Sequence, residues 1–148
     1  MKNHIKAYGL VPYLVKNDKI KILLCKSVTS KDKWGCLKGV KLKKENPYIC
    51  AQRETFEECG IYFHTELFEE YFEQINYEKD IGIWTVNIEN VEDYEEYFVN
   101  NSLKSNHLSW ENSSVKFFNI DELPPLKKKQ KNLILEIKDS LKSKIQFH

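Results

Sequence analysis

Residues 39–61 read GVKLKKENPYICAQRETFEECGI. Asn46-Pro47 inside this stretch is a helix start: the asparagine side chain caps the first free N–H groups, and proline at the first helical position loses no donor that the helix uses. Gly60 marks a helix end, because glycine closes a helix in the left-handed conformation without steric cost. The pattern therefore predicts a helix from about Pro47 to Cys59. On it Glu54, Glu57 and Glu58 stand at i, i+3 and i+4, so three carboxylates share one face. Two of them fall in the last turn, where the macrodipole favours Lys or Arg. A solvated acidic face is the ordinary reading of such a run, but it accounts neither for the conflict with the dipole nor for the helix's offset from Gly39. A divalent cation accounts for the conflict. Hard oxygen ligands suit Mg2+ or Mn2+, ions that also bind phosphate oxygens.

The spacing is more specific than the charge. Gly39 is followed by Glu45, then Arg53-Glu54, Thr55 in an aliphatic slot, Glu57-Glu58, Gly60 and Ile61. This array resembles the Nudix box of pyrophosphohydrolases acting on nucleoside-diphosphate linkages. The resemblance implies a mixed α/β (α+β) fold, a β-sheet sandwiched between helices. It implies that Glu57 and Glu58 are the leading metal ligands, with Glu54 a further ligand or an orienting carboxylate and the Gly39 carbonyl oxygen a common ligand. Arg53 and Glu45 would hold the box in shape, Arg53 by ion pairing. The general base is assigned to no single residue. Around the box the chain departs from the commoner pattern: Lys38 replaces the first glycine of a frequent pair, Leu42 a frequent Glu and Lys44 a frequent Gly.

Three further segments resemble the diadenosine tetraphosphate hydrolases of the same family. WGCLKG, Trp34 through Gly39, is similar to their Trp-x-x-x-Lys-Gly lead-in, which also occurs in decapping enzymes. Ile75-Asn76-Tyr77 followed by Ile83-Trp84 resembles the strand pair that carries a stacking tyrosine. Leu108-Ser109-Trp110-Glu111 before Phe117-Phe118 is similar to an LS-x-E segment whose Glu, here Glu111, serves as an extra metal ligand or base. Trp34, Lys38, Lys41 and Tyr77 are accordingly candidate substrate contacts. For Trp34 and Tyr77 plain packing is an open alternative, and for the lysines of the 38–44 segment plain solvation is.

Composition bounds the rest. The 148 residues, 41% apolar and 13% aromatic with a net charge of +1, predict one globular domain over 1–148, with no DNA or membrane partner favoured by a global field. No run approaches a membrane span, and the N-terminus lacks the apolar core of a signal peptide. Cys25, Cys36, Cys50 and Cys59 form no CxxC pair and read as reduced thiols of a cytoplasmic protein. His4, His64, His107 and His148 show no ligand spacing.

Along the chain, residues 8–16 and 20–27 read as a hairpin about Asn17-Asp18. Pro12 suggests an edge position or a bulge in its first strand. Residues 34–37 read as a short strand leading into Lys38-Gly39. Strands are expected at 61–67, 69–77, 81–88 and 113–119, while 89–101 carries no assignable element. A closing helix is expected over 126–145, with Leu126, Ile134, Ile137, Leu141 and Ile145 along one stripe. The chemistry expected is attack of water on phosphorus in a diphosphate linkage of a nucleotide, diadenosine tetraphosphate foremost. Hydrolysis at an RNA 5′ end and a non-catalytic nucleotide-binding module are the competing readings.

Overall fold

The computed structural model describes residues 5–145; His4 and His148 lie outside them. Strands β1 (Ile5–Lys16) and β2 (Lys19–Ser27) form the expected hairpin, with Lys16 opposite Lys19. Asn17 and Asp18 have φ of 53° and 60°, the left-handed pair whose twist suits a two-residue hairpin turn.

β1 is the hub of an eight-stranded mixed sheet. β5 (Lys79–Asn87) runs parallel to it on one side. On the other side β3 (Leu37–Val40) pairs with Ala7–Leu10 and β2 pairs with Tyr13–Lys16. β4 (Tyr71–Gln74) lies outside β5, and β8 (Asn112–Asn119) lies outside β2. The short β6 (Phe98–Val99) and β7 (Ser102–Leu103) complete the order β4-β5-β1-β2-β8-β7-β6.

Alternation along the central strands sends side chains into two cores. Tyr8, Leu10 and Leu14 with Trp84 and Val86 meet Cys50, Ala51 and Cys59 of helix α1 (Pro47–Cys59). Val11 and Tyr13 with Ile81 and Ile83 meet Leu133, Ile134, Ile137 and Leu141 of helix α2 (Lys128–Lys144). The sheet is thus sandwiched between helices, and β5 is apolar on both faces because both are covered.

Several sequence expectations are corrected. Pro12 is neither at an edge nor in a bulge. It sits in the central strand where β1 changes antiparallel partner, between the β3-paired and β2-paired segments. The strand before Gly39 begins at Leu37 rather than Trp34; Trp34 and Gly35 make only single bridges, to Leu126 and Cys25. Residues 61–67 are not a strand. Ile61 and Phe63 are buried while Tyr62 is exposed, so the apolar alternation is present, but this segment joins no ladder and ends in a 3-10 turn at Thr65–Leu67. β4 covers only four of the nine residues expected at 69–77. Residues 89–101 hold 3-10 turns at Ile88–Asn90 and Tyr94–Tyr97 and then β6. All four cysteines are free and buried, and among the described residues no helix is long and apolar enough to cross a membrane.

Candidate active site

Local chemistry fixes α1. The Asn46 side chain accepts from the Tyr48 N–H at 2.7 Å, Pro47 opens the helix, and Gly60 closes it at φ 76° with its N–H on the Phe56 carbonyl. The buried face of Cys50, Ala51, Thr55 and Cys59 docks the helix on the sheet, which turns Glu54, Glu57 and Glu58 toward β3. Gly39 lies against Glu54 so closely that a Cβ built on it would fall within the Glu54 carboxyl group. Glycine here meets a close approach rather than an unusual backbone angle.

Arg53 organises the cluster. Its Nε and Nη2 bind Glu45 at 2.7 and 2.9 Å, a bidentate pair, while Nη1 reaches Glu54 at 3.0 Å and Glu57 at 3.2 Å. Glu45 in turn accepts from the Leu42 N–H at 3.0 Å, closing the 40–45 loop. The Arg53 hydrogen bonds hold the Glu45 carboxyl down at about 2. Glu58 is half-buried. Its carboxylate accepts from the Lys38 N–H at 3.1 Å, and burial pushes its pKa up to about 8 against the opposing charge of Lys38. Burial also raises Glu54, with Arg53 opposing and Glu57 and Glu111 adding to the rise.

These groups line one cavity of about 420 Å3. Glu54, Glu57 and Glu58 enter from α1, and Glu111 comes from the turn before β8, more than fifty residues away in sequence. Gly39 and Lys38 form part of the same wall. Among the described residues no three acid, thiol or imidazole groups converge on one point as a ready metal cage; Arg53 draws Glu54 and Glu57 to itself instead. The Gly39 carbonyl accepts from the Cys50 thiol at 3.6 Å. The donor set nonetheless fits a hard cation. Four carboxylates face one space, Glu57 has a side chain 53% exposed, and desolvation raises the half-buried Glu58 and Glu54, which a bound cation would offset.

Other sequence candidates fall elsewhere. Trp34 is buried, its ring edge-on to Phe118 at 4.7 Å in the α2 core and outside the cavity wall. Lys41 also stands outside that wall and donates to the Leu42 carbonyl. Tyr77 is 79% exposed beyond the end of β4. Burial pushes the Cys36 and Cys59 thiols up to about 12 and Cys50 to about 11, so they stay protonated packing groups.

Further residues of the cavity wall are not among the sequence candidates. Lys79, Lys127 and Gln130 come from β5 and the start of α2. Asn112, 6% exposed, acts on Glu58 in the lowering sense, yet its Nδ2 has no hydrogen-bond partner among the described residues. Ser109, within the quoted LS-x-E segment, has an equally unpartnered buried hydroxyl in the same wall. A signal for Asn112 was available in its place directly after Glu111.

A family model for the NUDIX domain matches residues 7–137, and the chain belongs to the Nudix family. No curated protein matches it. Among solved structures, a Caenorhabditis elegans Ap4A hydrolase binary complex superposes with a TM-score of 0.62 at 22% identity, covering 94% of this chain and 98% of that one. The NUDIX domain of Shewanella oneidensis NrtR complexed with ADP ribose gives 0.68 at 14% identity, covering 95% and 90%. An ADP-ribose pyrophosphatase from Streptococcus suis gives 0.64 at 16% identity, covering 99% and 96%. At these identities the likeness is one of fold.

Proposed function

We propose that this Nudix protein is a Mg2+- or Mn2+-dependent pyrophosphohydrolase of nucleoside polyphosphates that cleaves diadenosine tetraphosphate to ATP and AMP. One observation carries the reading: Glu54, Glu57, Glu58 and Glu111 line a single cavity that Lys38, Lys79 and Lys127 also face. Carboxylates alone would repel a phosphate chain; the lysines on the same space attract it.

Glu57 and Glu58, with Glu54, Glu111 and the Gly39 carbonyl, would hold the cation. A bound divalent ion supplies polarisation of phosphoryl oxygens and acidification of water. Lys38, Lys79 and Lys127 orient the chain by its charge. Ser109 Oγ and Asn112 Nδ2 are buried donors suited to a phosphoryl oxygen or to a water held for attack. Water oxygen bonds to one phosphorus, the P–O–P bridge to the next breaks, the attacking water's proton passes to a carboxylate of the cluster, and the leaving phosphate departs on ATP. Arg53 and Glu45 keep α1 and the 40–45 loop in register.

Product analysis tests this. Wild-type protein with diadenosine tetraphosphate and Mg2+ is expected to yield ATP and AMP, with ADP-ribose as the competing substrate in a parallel reaction. Preferred cleavage of ADP-ribose, or binding without products, would overturn it.

A further inference from the structure

A second cavity of about 530 Å3 adjoins the first, and the two share Lys38, Lys79, Lys127 and Gln130 as a common wall. Its charge is one-sided. Seven lysines line it: Lys31 and Lys33 from the loop after β2, Lys38 from β3, Lys79 from β5, and the run 127–129 at the start of α2. Glu78 is the one acid in that wall. None of the seven enters an ion pair among the described residues.

Like charges gathered in this way repel, so something must hold the walls. Asn76 Nδ2 donates to the Lys79 and Lys129 carbonyls at 3.0 and 3.1 Å, which ties the β4–β5 turn to α2. The Cys36 N–H donates to Gln130 Oε1 at 2.7 Å, and the Lys127 N–H to the Trp34 carbonyl at 2.9 Å. Gln130 is 5% exposed and stands at the joint between the two cavities. Helix α2 adds its own positive end here: Lys127 gives no side-chain cap, and the first turn has no acidic residue. Together these form a braced, predominantly cationic cavity, with seven lysines against Glu78 in its own wall and Glu58 opposing Lys38 from the cavity next door.

We infer that this second cavity is a subsite for a linear chain of three or more phosphates carried by a small molecule, with the linkage to be cut lying in the carboxylate cavity next door. The placement of that linkage rests on the hydrolase reading above; the anion subsite does not. A diphosphate between two riboses, as in ADP-ribose, answers too few of seven lysines spread over such a space. The apolar side chains of the wall are Ile5 and Ile81, so it offers no platform for a base. An aromatic stands at the rim instead: Tyr77, 79% exposed, lies between the wall residues Asn76 and Glu78. The volume lies within the range of roughly 300–1,000 Å3 usual for small-molecule sites.

Calorimetric titration of the full chain in EDTA, where no turnover occurs, tests the subsite with inorganic tripolyphosphate and pyrophosphate as probes. Tripolyphosphate is expected to bind about tenfold tighter or better, and to weaken as salt rises. In K128Q/K129Q that advantage is expected to vanish; both side chains are exposed, so the fold is retained. Equal affinity for the two anions, or an advantage unchanged in the double variant, would overturn the inference. A short 5′-triphosphorylated RNA binding about tenfold tighter than tripolyphosphate would also overturn it, in favour of an RNA end. The hydrolase reading fails separately. Tripolyphosphate binding without turnover of diadenosine tetraphosphate keeps the subsite and removes that reading, whereas turnover with an unchanged KM in K128Q/K129Q removes the subsite and keeps it.

Discussion

The last turn of α1 and the first turn of α2 carry opposite charges in the same kind of wrong place. α1 ends in Glu57 and Glu58 with no basic residue in its last turn, while α2 begins with lysines and no acidic residue in its first. Each misplaced charge costs about 0.3–1 kcal/mol against the helix dipole, so stability explains neither. The two ends differ in what answers them. Arg53 draws Glu54 and Glu57 to itself, and the half-buried Glu58 is raised; the α2 lysines face a shared cavity wall where Glu78 is the one acid among seven lysines. An acidic end prepared for a cation beside a basic end prepared for an anion is what a metal-bound phosphate chain would occupy.

The acidic side gives the largest expected effects. Glu58→Gln keeps the shape of the side chain and removes its charge. If the cluster is catalytic, kcat on diadenosine tetraphosphate should fall by roughly a hundredfold or more, with the circular-dichroism spectrum unchanged. Unaltered turnover would remove Glu58 from the reaction. Metal should also stabilise the native state by mass action, by about 2.7 kcal/mol at a hundredfold excess over Kd. Millimolar Mg2+ or Mn2+ should then raise Tm by several degrees over EDTA, and identical midpoints would break the comparison on its acidic side.

A third effect concerns the brace beneath the cluster. Glu45 titrates near 2 in the folded chain, below the ordinary carboxylate value of 4.5, because Arg53 binds it. A depressed acid contributes stability that is complete above its unfolded pKa and is lost as pH falls through the folded one. Acid unfolding of the wild type should therefore gain steepness between about pH 4.5 and 2 from this residue. Glu45→Gln should be less stable at neutral pH and flatter across that window. A parallel pair of acid-melting curves would show that the Arg53–Glu45 brace contributes nothing.

The sequence made these two regions unequally legible. Both caps of α1 and its three carboxylates follow from chemistry within a few residues of one another, and the structure places them on the predicted helix boundaries. The hairpin turn at Asn17-Asp18 was legible for the same reason. What failed depended on partners distant in sequence. Residues 61–67 do alternate buried and exposed, but a strand needs a neighbour, and pairing is not written in the segment itself. Trp34 precedes Gly39 closely enough to suggest the site, yet sequence alone cannot say on which side of the sheet an aromatic falls; here Phe118 and the α2 core take it. Although Lys127, Lys128 and Lys129 adjoin one another in the chain, only Lys38 of the basic cavity was legible as a candidate contact. Lys31, Lys33 and Lys79 join it through the fold, from segments that carry no shared pattern.

The smallest effect separates the two ends most cleanly. Lys129 is exposed in the first turn of α2, where a negative charge suits the dipole and a positive one does not. Lys129→Glu should therefore stabilise the protein by about 0.5 kcal/mol, raising Tm by about one to two degrees in a domain of this size. The same substitution places an acid in the wall proposed for phosphates and should weaken tripolyphosphate binding. Higher stability with poorer binding is the signature of a charge kept for a ligand. A lower Tm would mean that Lys129 serves the fold after all, and the likeness between the two helix ends would then be accidental on the basic side.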